Sequence, residues 1–194
     1  MTLTSEEINF AFEVWKTFPE RIVGFPARHH FWDEKKRLWR YSSATTNEFS
    51  MILTNAGMST NFRSLIMLYL IIFAAFLNRK YAKLFVENLS VSVTAALHTY
   101  SDCEHILMNF LVSLVSKKPP VKVTHRRKFQ VASSSKNHTQ MSEEFSQKQT
   151  CINIFFSGFG QMPLIKSKLR LDPVLFKDPV SNLRKKFRKI ELAQ

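Results

Sequence analysis

The chain has 194 residues, 45% of them apolar and 18 of them Phe, which is enough to build a packed core and excludes disorder throughout. Lys and Arg number 28 against 15 Asp and Glu, a formal net charge of +13, so the expected neighbour is a polyanion: nucleic acid, anionic lipid or acidic polysaccharide. The four glycines (Gly24, Gly57, Gly158 and Gly160) form neither G-x-G-x-x-G nor G-x-x-x-x-G-K, which excludes a self-sufficient phosphate-cradling loop.

In chain order, Thr4 followed three residues later by Glu7 is a capping box, and Ile8, Ala11, Phe12 and Trp15 continue it as a helical stripe that Pro19 stops. Arg21 to Phe25 reads as a short buried strand and Phe49 to Thr54 as another. Between them, Arg28 to Tyr41 mixes Trp32, Trp39, two histidines and five basic residues, the pattern of a surface excursion or hairpin. Leu65 to Leu77 is thirteen unbroken apolar or aromatic residues. As a helix it would reach only about 20 Å, short of a membrane span, and a buried core helix is the expectation.

Asp102 can cap a helix running to about Ser116, with apolar Leu107, Leu111, Leu114 and Val115. Pro119-Pro120 ends it, and Val121 to Thr124 reads as a strand. Residues 132–143 are polar and Ser-rich, the composition of a flexible loop. A further helix from about Glu144 carries Phe145, Lys148, Ile152, Phe155 and Phe159 on one side, and Gly158 and Gly160 end it. Val180 to Ile190 reads as a basic helix. Helices alternating with short strands indicate an α/β class.

The chemistry offered by these elements is sparse. The basic clusters Lys117–Lys128 and Arg184–Lys189 come with no helix-turn-helix, RNP-like strand or zinc module. No nucleic-acid partner is expected, and an acidic sugar polymer fits the charge as well. Adjacent His29 and His30 do not share a helical or strand face, and no G-x-S-x-G elbow supports a serine nucleophile. Cys103 and Cys151 are too few for a Cys-rich zinc site and suit one disulfide or two buried thiols. The sequons at Asn88 and Asn137 point toward a secretory lumen. No basic region followed by an apolar stretch opens the chain, so a lumenal protein would take its entry signal from elsewhere. The most suggestive cluster is Asp102-Cys103-Glu104-His105 at a helix start, where the helix dipole favours anions. If Cys103 bonds Cys151, that turn is pinned to the helix carrying Lys148.

Several stretches together resemble the C-terminal glycosyltransferase domain of the exostosins, the heparan sulfate chain polymerases, and within that family the exostosin-1-like branch. They are INFAFEVWKTFPERIVGFPAR (8–28), FWDEKKRLWRYSSATTNEFSMILT (31–54), CEHILMNFLVSLVSKKPPVKVT (103–124), QKQTCINIFFSGFGQMPL (147–164) and RLDPVLFKD (170–178). The resemblance implies a partial GT-A type α/β fold over residues 1–194. It also implies retaining transfer of GlcNAc from UDP-GlcNAc to a glucuronate-ended heparan sulfate chain with a divalent metal such as manganese. It places Cys103 and Cys151 at the family's disulfide and the protein in the endoplasmic reticulum or Golgi lumen. Membrane association through 65–77 or an N-terminal anchor is a third reading, beside the buried core helix expected for that run. An exostosin heteromer is the expected assembly, and a non-catalytic heparan-binding or heteromer-forming subunit is the alternative function.

Residue by residue, the resemblance gives Glu104 and His105 the acid–base positions, Lys148 the cation position, and Asp102 and Arg28 substrate contact. The family's turn reads Asn-Cys-Glu/Asp-Asp-Ile, so His105 replaces its second carboxylate, and Lys148 replaces an Arg. The family's Asp-x-Asp metal motif would lie ahead of Met1, leaving no metal ligand in this chain and making the 194 residues alone an inactive copy. The family runs directly from a strand like SMILT into Gly-Ala-Ala-Phe, whereas residues 55–72 intervene here before Phe73-Ala74-Ala75-Phe76. A retained intron is the expected origin of this apolar insertion, and a membrane-associating insertion the second reading.

Overall fold

The computed structural model describes residues 5–42, 47–53, 75–87, 89–100, 103–124 and 138–173. Helix α1 (Ser5–Thr17) is followed by β1 (Val23–Gly24), the hairpin strands β2 (Ala27–Asp33) and β3 (Leu38–Ser42), then β4 (Met51–Ile52) and β5 (Ala75–Phe76). Helices α2 (Arg79–Glu87), α3 (Val91–Thr99) and α4 (Glu104–Ser116) come next, then β6 (Val121–Val123), α5 (His138–Phe159) and β7 (Arg170–Leu171). Mixed helices and sheets confirm the α/β class.

The larger sheet runs β5-β1-β6-β7, with β1, β6 and β7 parallel and β5 antiparallel. Alternation along each strand sends Val23, Val121 and Val123 toward α1, where Ala11, Val14 and Phe76 complete one core. The opposite face carries Ile22, which packs with Ile52, Tyr81 and Val112. A second, antiparallel sheet has the order β3-β2-β4. It lies against the largest core, built from α3, α4 and α5, in which Ile106, Leu107, Phe110, Ile152 and Phe155 are fully buried. Each such side chain contributes about 2–3 kcal/mol of burial free energy.

Both edges of the small sheet are closed by side-chain amides. Asn109 on α4 accepts from the Ile52 amide at 2.9 Å and donates to the Ile52 carbonyl at 2.9 Å, as a neighbouring strand would. On the other edge, Asn153 of α5 accepts from the Trp39 amide at 2.9 Å and donates to its carbonyl at 2.8 Å. Gln149 accepts from the Tyr41 amide and donates to the Trp39 carbonyl. Unpaired strand edges are thereby satisfied without an added strand.

Several expectations change in detail. On α1 the buried face is Glu7, Ala11 and Val14. Phe12 is partly exposed and stacks on Trp15, so the stripe is rotated by about one position from the one read. The Arg28–Tyr41 excursion is a hairpin, and it is not merely superficial, since His30 and Tyr41 are buried. The end of the 65–77 run is a strand: Ala75 and Phe76 pair with Gly24 and Val23 because that edge of β1 needs a partner. The cap position of α4 is Cys103 in helical geometry with no side-chain cap bond, one residue beyond the expected Asp102. Val115 is exposed, while Leu107 and Leu111 are buried.

Helix α5 begins at His138, six residues before Glu144, and takes in the second half of the stretch 132–143 read as a loop. It runs through Gly158 and ends at Phe159, where Gly160 adopts φ +69°. No helix among the described residues is long and apolar enough to cross a membrane. Thr4, Asp102, Asn88, Asn137, residues 55–72, most of 65–77 and the 180–190 stretch lie outside the described residues.

Candidate functional site at the disulfide-linked helix start

Cys103 and Cys151 are disulfide-bonded, with Cα atoms 6.1 Å apart and a sequence separation of 48. Cross-linking a loop of that length restricts the unfolded chain by about 4 kcal/mol in the chain-entropy account. The bond holds the first turn of α4 against the middle of α5. Glu104 and His105 are the first two residues of α4, both half-buried. Lys148 lies one helical turn before Cys151 on the same face of α5 and is buried to 7% exposure. The two acid–base candidates and the cation candidate thus flank one cross-link. The amide of Asn109 also donates to the His105 carbonyl at 2.7 Å, tying this turn to β4.

Arg28 belongs to a different cluster. It sits on β2, just past the carboxyl end of β1, half-buried, with its guanidinium donating to the Ala27 carbonyl at 3.2 Å. Burial pushes its pKa down and the nearby Tyr41 hydroxyl acts the other way. On β6, Lys122 projects away from the valine face and is paired in register with Arg170 on β7. Its ammonium is pulled below the ordinary lysine value by burial first and then by Arg170, with Asp172 opposing and Arg28 adding a smaller repulsion. Arg170 is itself bridged to Asp172 at 3.4 Å. Lys122, in the middle of β6, thus joins Arg28 and Arg170 in one cationic cluster.

A buried polar pair lies in the small sheet. The His30 main-chain N–H donates to Ser50 Oγ at 3.1 Å, and Ser50 Oγ is 2.7 Å from His30 Nδ1. Burial, with smaller contributions from Lys166 and His29, lowers the His30 pKa to about 4. The ring is neutral at physiological pH. His29 and His30 point to opposite faces of β2, which agrees with the reading that they do not act together.

Sequence reading missed Asn109, Gln149, Asn153, Ser50 and Arg170 as organising residues. A signal existed for Lys122: flanked by Val121 and Val123 in a strand, it had to face away from the valine side. None existed for the amides, whose partners are up to 114 residues away. Among the described residues, no three His, Cys, Asp or Glu side chains come together to hold a metal ion. The donors among the described residues do not fit a manganese site.

A model of the glycosyl transferase family 64 domain matches residues 1–65 and 64–176. The two matches meet inside the stretch 55–72. Exostosin-1 of Drosophila melanogaster is 45% identical over 190 residues, covering 98% of this chain and 23% of the relative. Exostosin-1b of Danio rerio is 47% identical and Exostosin-1 of Bos taurus 45% identical, each over 193 residues, 97% of this chain and 24% of the relative. The chain spans about a quarter of the length of the curated relatives it matches.

Proposed function

Because the chain belongs to glycosyl transferase family 64, we propose that it is part of a retaining N-acetylglucosaminyltransferase that extends a glucuronate-ended, heparan-type chain from UDP-GlcNAc. The observation that carries this reading is the convergence of Glu104, His105 and Lys148 on the Cys103–Cys151 bond in a chain of this family. In the transfer, the anomeric C–O bond to the diphosphate breaks, a C–O bond to an acceptor hydroxyl forms, and the hydroxyl proton passes to the departing phosphate oxygen. The Glu104 carboxylate at the helix start opposes the positive charge that develops at the anomeric carbon. Lys148 offers a single point charge to the leaving group, where an Arg would grip it bidentately.

The cationic cluster of Arg28, Lys122 and Arg170 suits the uronate carboxylates of the acceptor. Asp102, next to Cys103, is assigned substrate contact on the same reading. Manganese is the cofactor this reading implies, and the described residues form no site for it. With His105 and Lys148 standing for a carboxylate and an arginine, the 194 residues alone are proposed to be inactive. The protein is placed in the endoplasmic reticulum and Golgi lumen, membrane-associated, with glycans at Asn88 and Asn137 and another exostosin as its heteromer partner.

His105 is the weak point of this chemistry. An imidazole supplies no fixed negative charge where a second carboxylate would. In the full-length protein, labelled GlcNAc transfer from UDP-GlcNAc to glucuronate-ended oligosaccharides is expected to rise at least about tenfold in the His105→Asp variant. Transfer is expected to vanish in Glu104→Gln. If neither the natural protein nor the His105→Asp variant transfers sugar while acceptor binding persists, the second reading holds: a non-catalytic heparan-binding or heteromer-forming subunit. His105 itself is the observation that favours that alternative.

A further inference from the structure

A groove of about 680 Å³ lies between the β2–β3 turn, the start of α3 and the outer flank of α5. We propose that it is a secondary binding site for an anionic polysaccharide, engaging the acceptor chain away from its growing end. The inference rests on the proposed heparan-type acceptor and adds a site to it.

Helical geometry separates this groove from the site already described. Lys148, Cys151, Ile152 and Phe155 face the core and the disulfide, whereas Gln149, Asn153 and Ser157 lie on the flank turned toward the hairpin and solvent. Among the described residues the lining carries hydroxyls and amides on Ser92, Gln149, Thr150, Asn153 and Ser157, apolar surface from Leu38 and Ile154, and no carboxylate. Side-chain amides and hydroxyls pair with sugar hydroxyls, and apolar patches take the faces of pyranose rings. The amides of Gln149 and Asn153 are held in place by their bonds to the Trp39 and Tyr41 main chain. Asn153 spends both amide hydrogens on the Trp39 and Gln149 carbonyls, so the pair offers a sugar the second Gln149 N–H and one lone pair on each amide oxygen, all held in fixed positions.

Charge selects the class of sugar. Arg37 lines the groove with φ +49°, and Lys35 and Lys36 beside it are exposed, against a single acid, Glu34, in the same turn. Asp33 is engaged by Arg40 at 3.2 Å and by the Lys35 and Lys36 amides, which sets the turn and leaves its cations pointing outward. Among the described residues no aromatic ring lines the groove for base stacking, which disfavours single-stranded nucleic acid.

The test uses the full-length protein and glucuronate–N-acetylglucosamine oligosaccharides of increasing length. Arg37→Asn removes the cation with a residue that tolerates left-handed backbone, and Ser157→Trp fills the groove from an exposed position. Both variants are expected to weaken binding of long oligosaccharides about tenfold while leaving short-acceptor binding and transfer within twofold. Neutral oligosaccharides of equal length are expected to bind weakly to all forms. Unchanged length dependence in both variants, or equal binding of neutral chains, overturns the proposal. Failure of GlcNAc transfer with groove-dependent binding intact sinks the transferase reading and leaves this site standing.

Discussion

At the scale of single residues, His30 and Asn109 couple the small sheet to everything around it. The folded protein holds His30 neutral, with a pKa of about 4 against 6.5 in the unfolded chain. The unfolded state therefore binds more protons between these values. Stability contributed by the neutral ring is fully present above about pH 6.5 and is lost as pH falls toward 4, about 3 kcal/mol in total. Urea unfolding from pH 7 to pH 4 is expected to show this loss, and a His30→Gln variant should flatten it. An equally steep pH dependence in the variant would assign the loss to other groups. Asn109 tests the edge-closing bonds. Asn109→Leu strands the buried Ile52 amide and carbonyl and removes the donor to the His105 carbonyl. The expected cost is about 3 kcal/mol, read as a lower urea midpoint at unchanged slope.

Among the elements, α5 joins the disulfide-linked site, the helix α3 and the edge of β3. Its core face carries the disulfide and Lys148, and its flank closes β3. Near its end Gly158 lets α3 approach: a Cβ there would stand 2.8 Å from Val93 Cγ2, the side chain of a buried, β-branched residue with little room to move. Ala favours helix over Gly by about 1 kcal/mol, but overpacking costs about 1–3 kcal/mol. The clash is the larger effect, and Gly158→Ala is expected to lower the melting temperature by a few degrees. A higher melting temperature would mean that α3 simply moves away. The α4–α5 pair shows how much of a site a sequence can carry. Residue pattern places Glu104 at a helix start and Lys148 on the apolar face of a later helix, but the two meet only because the disulfide and Phe110 against Phe155 bring the helices together.

For the whole molecule, the question is how residues 55–72 relate to the fold. The chain leaves at β4 in the small sheet and returns at β5, which completes the edge of the large sheet and buries Phe76 in the α1 core. Strand β5, Ala75–Phe76, ends the sequence stretch Phe73-Ala74-Ala75-Phe76 that resembles the family pattern, and the two family matches meet within 55–72. We propose that 55–72 is an addition that neither sheet requires. Deleting it is expected to preserve the Cys103–Cys151 bond, the far-ultraviolet dichroism and a cooperative melt within a few degrees of the original. Collapse to an unfolded or aggregated chain would show that the stretch is structural. Sequencing the spliced messages separates a retained intron, absent from mature transcripts, from a genuine insertion.

Local pattern was sufficient for the α/β class, α1, α4 and β6, because helix and strand periodicity depend on neighbours a few residues apart. Colinear motifs were sufficient for the family, and with it the pairing of Cys103 with Cys151. Other features required the folded chain: the joining of Arg28 with Lys122 and Arg170, the closing of both sheet edges by Asn109, Gln149 and Asn153, the neutral His30–Ser50 pair, and the groove beside Arg37. Each depends on elements distant in sequence meeting at hydrogen-bonding or Coulombic range. No local propensity encodes such a meeting, since it is the packing of two sheets and three helices that sets which polar groups are buried together and which are left to face solvent.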